Sequence, residues 1–204
     1  VGNISLFSGN GIDAKATTNG VVEAFLGAPV ATGGTYVGTN TLNITNTIDV
    51  DAISDMQAEA FADSDGVSAV SVNVLLTTAE VKGVTRAFAG QGIKVSGGGL
   101  DLNAQAETMQ ARGKAETFTV SLGAGAGLVP KAKVTGEVAA FIGSEHTKPA
   151  SGDAAQVNVT GPVNVTADAD MESVGSVESS GLTGFSITIM APTAEVNGAV
   201  RAYV

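Results

Sequence analysis

"TAEVKGVTRAF", Thr78 to Phe88, recurs as "TAEVNGAVRAY", Thr193 to Tyr203, with seven of eleven positions identical. Two further relatives, "KAKVTGEVAAF" (Lys131 to Phe141) and "DAKATTNGVVEAF" (Asp13 to Phe25), bring Gly20, Gly83, Gly136 and Gly198 into register. The same alignment makes a column of Phe25, Phe88, Phe141 and Tyr203. Four copies in 204 residues are an array, in which each unit buries its faces only against its neighbours.

A second element recurs between these copies: "TIDVDAISDMQAE" from Thr47, "GLDLNAQAETMQA" from Gly99 and "PVNVTADADMESV" from Pro162. From its first apolar residue (Ile48, Leu100, Val163) to the next motif glycine the spacing is 35, 36 and 35 residues. From motif glycine to that apolar residue it is 28, 17 and 27. The extra length falls just after the aromatic column, as "APVATGGTYVGTNT" in one unit and "SEHTKPASGDAAQ" in another. Gly-, Pro-, Ser- and Thr-rich insertions at one point of a constant unit predict loops on one face of a repeat scaffold. Glu145, His146, Lys148 and Asp153 in the later insertion form the candidate interaction loop.

From Val157 to Met171 the odd positions are Val, Val, Gly, Val, Val, Ala, Ala and Met, while the even ones are polar apart from Pro162. Period two over fifteen residues predicts strand, with a bend at Gly161-Pro162. The motif alternates too: Val196, Gly198, Val200 and Ala202 share an inner face, and Ala199, Arg201 and Tyr203 the outer one. A glycine at the same inner point of every copy marks a close approach of neighbouring backbone or a bend. Stacked aromatics on the other face form either a covered apolar face or an exposed contact surface. The expected fold is all-β, a parallel β-solenoid of roughly 53–63-residue repeats, because parallel stacking puts like residues about 4.8 Å apart and favours identical ladders. An antiparallel β-sandwich or meander of long strands satisfies the same alternation. The chain is expected to be a single array over 1–204, with units 1–66, 67–123, 124–181 and a partial 182–204.

Composition fits thin sheets. There is no Trp, aromatics are 4%, and 27 glycines are spread along a chain that is 44% apolar. Twenty acidic residues against ten basic ones, a net charge of -10, argue against a phosphate-tracking surface, so nucleic acid is not an expected partner. Cysteine is absent, which removes disulfides and thiolate metal sites. No apolar run approaches the 18 or so residues of a membrane-crossing helix, and no membrane insertion is expected. The start, "VGNISLF", has neither an initiator Met nor a leader pattern, and the chain reads as a processed or excised piece whose strand edges pair with neighbouring repeats or with other copies.

Little in the sequence carries chemistry. Asp49 with Asp51, and Asp168 with Asp170, each place two carboxylates on one side of a strand, the kind of donors Ca²⁺ uses, and are the candidate ligands for the one cofactor considered. "GGGLDL" (Gly97 to Leu102) lacks the spacing of a Ca²⁺-binding nonapeptide and is expected to be a turn. "AGAGL" (Ala124 to Leu128) lacks a nucleotide loop's spacing and following helix. His146, the single histidine, has no nucleophile in a recognisable setting, and no catalytic residue is assigned.

The units, "PTAEVNGAVRAYV", "VNVTADAD" and "FSITIMAPTAEV", resemble the tandem β-strand repeats of filamentous bacterial surface adhesins and autotransporter-type passengers. That resemblance implies an extracellular or cell-surface stalk engaged in adhesion, with a host-surface or glycan receptor as partner, and no shared site motif to carry over. The expectation is a non-enzymatic structural or adhesive segment. The alternatives are a self-assembling subunit of an extracellular filament or sheath, and a carbohydrate-binding or carbohydrate-cleaving β-solenoid. The last requires convergent carboxylates set apart from the repeat.

Overall fold

The computed structural model describes residues 2–27, 40–145 and 154–204. All regular structure among them is β: β1 (Gly2–Thr18), β2 (Val21–Leu26), β3 (Asn40–Val81), β4 (Val84–Ala89), β5 (Ile93–Val134), β6 (Glu137–Ile142), β7 (Gln156–Val159), β8 (Val163–Met190), β9 (Thr193–Val196) and β10 (Ala199–Tyr203). One sheet runs β1-β3-β5-β7, with β8 and β9 also on β5, and the other runs β10-β6-β4-β2. All eight pairings are parallel, so an antiparallel sandwich or meander does not describe these sheets.

The pairing follows the repeat. Ser8 pairs with Ser71, Ser71 with Ala124 and Ala124 with Ser186, so that equivalent positions of successive units lie side by side. β1 and β2 form a first tier, β3 and β4 a second, β5 and β6 a third, and β7 to β10 a fourth. The unequal spacing is absorbed outside the paired strands. The chain leaves the smaller sheet at Gly27 and Gly143, whose φ values of 92° and 102° suit glycine, and the insertions follow there.

A straight strand of 42 residues would reach about 140 Å, at roughly 3.3 Å per residue. β3 folds back on itself instead. Ser64, Gly66 and Ser68 are buried, Val70 is exposed, and Ser71, Asn73 and Leu75 are buried again, so the inward phase changes at Ala69-Val70. Beyond that point the returning half faces the outgoing one. Ala62 of the outgoing half and Leu75 of the returning half are buried in one cluster, and farther along Ser54 Oγ meets Thr85 Oγ1 of β4 across the layers at 2.6 Å.

Small side chains fill the space between the two layers. Ala52, Ala58, Ala60, Ala79, Ala87, Ala104, Ala106, Ala111 and Ala140 are buried in one cluster with Val50, Val81, Val134, Val138, Leu100 and Leu102. Alanine and valine allow the sheets to approach closely, which is why a chain without Trp closes a core. At the fold-back the interior is polar. Ser8 Oγ donates to Ser68 Oγ at 3.0 Å, Asn10 Nδ2 to Ser64 Oγ at 3.0 Å, and Asn73 Nδ2 to Thr117 Oγ1 and Thr119 Oγ1 at 3.2 and 3.3 Å.

The corners are bonded across tiers as the strands are. Val84 N donates to Gly20 O at 2.8 Å, Glu137 N to Gly83 O at 3.0 Å, and Ala199 N to Gly136 O at 3.0 Å. The amide ladder therefore continues where the chain passes from one sheet to the other. "GGGLDL" is not a free turn: it lies within β5, where Gly97 takes φ 133° and the register against β3 shifts between Ile44 and Thr47. A Cβ on Gly98 would stand 2.5 Å from Asn46 O, so the three glycines let two backbones press together at a bend in the strand.

Candidate functional site

The outer face of the smaller sheet carries the densest arrangement of conjugated and charged side chains. Period two directs Phe25, Phe88, Phe141 and Tyr203 outward, and the parallel register places each above the next. Their ring centroids are 5.3, 4.9 and 5.2 Å apart, with planes inclined by 13°, 1° and 4°. Phe88 and Phe141 are completely buried, so in the middle tiers the column is a covered apolar face.

Two residues toward the corner, the register runs Glu23, Arg86, Ala139, Arg201. Arg86 reaches in three directions: Nη1 donates to Glu23 Oε1 at 3.1 Å, Nη2 donates to Glu145 Oε1 at 2.7 Å, and Nη2 lies 3.5 Å from Glu137 Oε2. Arg201 Nη1 donates to Glu137 Oε1 at 2.5 Å. Ala139 stands in register between the two arginines, where a longer side chain would compete for the same space. Side-chain exposure is 12% for Arg86 and 7% for Glu145, so these charges are largely removed from water and depend on one another. Such a network braces all four tiers, since Arg86 in the second holds carboxylates from the first and third and from the start of an insertion, and Arg201 in the fourth holds Glu137 of the third.

Glu145 thus turns inward onto Arg86. His146, Lys148 and Asp153, the rest of the candidate interaction loop, lie outside the described residues. Asp49 and Asp51 face out from β3, and their in-register neighbours on β5 are Asp101 and Asn103. Asp168 pairs with Gln105 and belongs to the column of Ile53, one outward position further along and two tiers away. The two Asp-x-Asp pairs are therefore not brought together, and among the described residues no group of three or more His, Cys, Asp or Glu could hold a metal ion.

The four glycines meet as aligned, but their principal neighbour is a methionine. A Cβ on Gly83 would overlap Met56 Sδ and stand 2.8 Å from Met56 Cε. One on Gly136 would stand 2.6 Å from Met109 Sδ, and one on Gly198 would overlap Met171 Sδ. Met56, Met109 and Met171 are themselves in register, so a thioether column lies against a glycine column through three tiers. The signal was present in the sequence: each methionine stands 27 residues before its glycine. None of the four glycines has a positive φ, so the requirement is for space.

Among the described residues, cavities open between or beside the layers. One of about 320 Å³ is lined by Thr117, Thr119, Ala124, Ala126 and Thr188 among others. Another of about 660 Å³ is lined by Ile142, Val157, Val165 and Tyr203 among others, and a third of about 460 Å³ by Asn43, Ser96, Gly97 and Thr160 among others. None of the three is lined by a charged side chain. Compared with protein-family models, with curated proteins and with solved structures, the chain matches none.

Proposed function

We propose that this chain is a non-enzymatic structural segment, a parallel β-solenoid in which each repeat makes one coil, and that it serves as a length of extracellular stalk or fibre. The observation that carries the reading is the register: equivalent residues of every unit stand side by side through both sheets and across the corners. A stack in which each unit contacts only the units above and below extends along one direction, and its stability comes from repeated interfaces. The bracing of Arg86 between tiers fits a scaffold, because its charge is engaged by glutamates of neighbouring repeats. The resemblance of the repeats to filamentous adhesins supports the extracellular placement.

Insertion of one extra in-register unit tests it, by duplicating residues 65–117 within the chain. A coil adds about 4.8 Å of length at constant cross-section, because parallel strands are spaced that far apart. Small-angle scattering of dilute monomer reads both quantities. Growth in cross-section, with no gain in length, would defeat the reading.

A further inference from the structure

The outer face of the returning layer has a relief that fits itself. In the second tier Val70, Val72 and Val74 point outward and are 42%, 53% and 44% exposed. Beside them in the third tier stand Gly123, Gly125 and Gly127, and beyond these, in the fourth, Phe185, Ile187 and Ile189. On the other side, in the first tier, Gly9 and Gly11 pair with Val72 and Val74. The columns therefore read Gly9, Val72, Gly125, Ile187 and Gly11, Val74, Gly127, Ile189: furrow, ridge, furrow, ridge.

The furrows are open. A Cβ on Gly11 or Gly123 would meet nothing within 4 Å, and one on Gly125 would meet only Val72 Cγ2, at 3.9 Å. The ridges are exposed, with Ile187 at 57% and Ile189 at 65%. No charged side chain occurs at any of these positions.

We infer that this face is a docking surface for a second copy of the same chain, related by a twofold axis parallel to the strands and passing between the second and third tiers. That axis keeps each residue's place along the strand and reverses the order of tiers. Val72 and Val74 of one copy then enter the furrow of Gly125 and Gly127 of the other, and Ile187 and Ile189 enter that of Gly9 and Gly11. At one end of the patch Phe185 meets the exposed Phe7, which is in register with Val70, ring against ring; the valines and isoleucines each meet a furrow, and every contact is made twice, as an isologous interface requires. Sheets packed face to face interdigitate in this way at a separation of about 10 Å. The patch spans roughly 20 Å by 20 Å, or about 400 Å² per partner, half the usual area of a stable interface, so pairing of these four tiers is weak. Pairing of longer arrays gains by repetition of the contact. The face is lateral, so the contact needs no particular length of stack.

Sedimentation velocity of the whole chain from about 10 µM to about 1 mM tests it, over the range in which weak dimers form. The expected result is a reversible monomer–dimer equilibrium. Gly125→Val with Gly127→Val fills the furrow from outside, and should weaken dimerisation at least about tenfold while circular dichroism stays unchanged. Ile187→Asp should do the same, whereas Ile53→Asp, on the outer face of the other layer, should not. A chain that remains monomeric throughout overturns the inference, as does a dimer that tolerates the filled furrow. Monomeric protein retained by phosphatidylcholine vesicles through Ile187 would assign the face to lipid and equally overturn it. Coil geometry is read on dilute monomer, so failure here leaves that reading separate.

Discussion

Met56 occupies the space that a side chain at residue 83 would need: a Cβ on Gly83 would overlap its Sδ, while the nearest backbone atom, Gly20 O, would be 3.4 Å away. At Gly136 the relation differs, because Gly83 O would be only 2.8 Å from the added atom, in addition to Met109 Sδ at 2.6 Å. One obstacle is a flexible thioether, and the other includes backbone.

This difference predicts unequal rescue. Gly83→Ala should destabilise by about 1–3 kcal/mol through overpacking. Combined with Met56→Ala it should cost at least about 1 kcal/mol less than the sum of the two single changes, because the obstacle has been removed. Gly136→Ala with Met109→Ala should show much weaker coupling, since the carbonyl stays. Lys82→Ala, at an exposed position beside Gly83, serves as the reference. Denaturant melts of the variants read the coupling directly, and equal coupling at the two sites would contradict the assignment.

Removing Arg86 takes from Glu23 and the 7%-exposed Glu145 the guanidinium that they share. Arg86→Ala should cost about 3 kcal/mol, the usual consequence of removing one partner from a buried ion pair. Arg86→Lys should recover only part of this, because one ammonium does not reach in three directions as a guanidinium does. Deleting residues 146–153 with a short glycine linker should leave the melting midpoint nearly unchanged, as the second tier passes from Ala89 to Ile93 with no insertion. Extending the deletion to residues 144–155 removes Glu145 and the bond between Gln91 and Ser144, and should be visibly worse.

The aromatic column should show a gradient set by burial. Phe141, fully buried between Phe88 and Tyr203, should cost about 3–5 kcal/mol as Phe141→Ala. Phe25, 40% exposed at the end of the column, should cost less than half as much as Phe25→Ala. Thermal unfolding of the two variants decides the order, and a larger effect at Phe25 would refute a covered face.

On the opposite layer, Lys114 lies against Glu116 and, 3.6 Å away, Glu178. The hydrogen bond from Lys114 is the main cause holding Glu116 below its ordinary pKa, and the bond to Glu116 is the main cause raising Lys114 above its own. A depressed carboxylate stabilises the fold above its unfolded pKa and loses that contribution as pH falls through the folded one. A raised ammonium stabilises below its unfolded pKa and loses its contribution as pH rises through the folded one. The advantage of the native chain over Lys114→Met should therefore be present near neutrality and fade at both acidic and strongly alkaline pH. These groups lie at the surface and are at most partly buried, so the difference should be small and shrink with added salt. Melting midpoints of both proteins at about pH 3, 7 and 11 read it, and a difference independent of pH would count against the pairing.

The alignment of Gly20, Gly83, Gly136 and Gly198, the aromatic column and the alternation of residues 157–171 and of the motif strand were legible in the sequence, because repeat spacing and period two are properties of a line. The nature of the glycine's neighbour was not read, although methionine recurs at a constant distance, since nothing local says that two segments 27 residues apart face each other. "GGGLDL" looked like a turn by composition, yet its neighbours Ile44 and Asn46 hold it within a strand at a close approach. Glu145 looked like part of a polar loop, because its partner, Arg86, is 59 residues away.

By itself the sequence determined that the chain is β, that it repeats, and which positions recur in every unit; local alternation and spacing suffice for that. The tertiary structure decided that the strands pair in parallel, and that β3 folds back between Ser68 and Ser71. It brought Arg86 among three glutamates, and set rows of glycine beside rows of valine and isoleucine on one outer face. These outcomes depend on which tier lies beside which and where the layers reverse, and that is settled by packing between distant segments rather than by the preferences of any one of them.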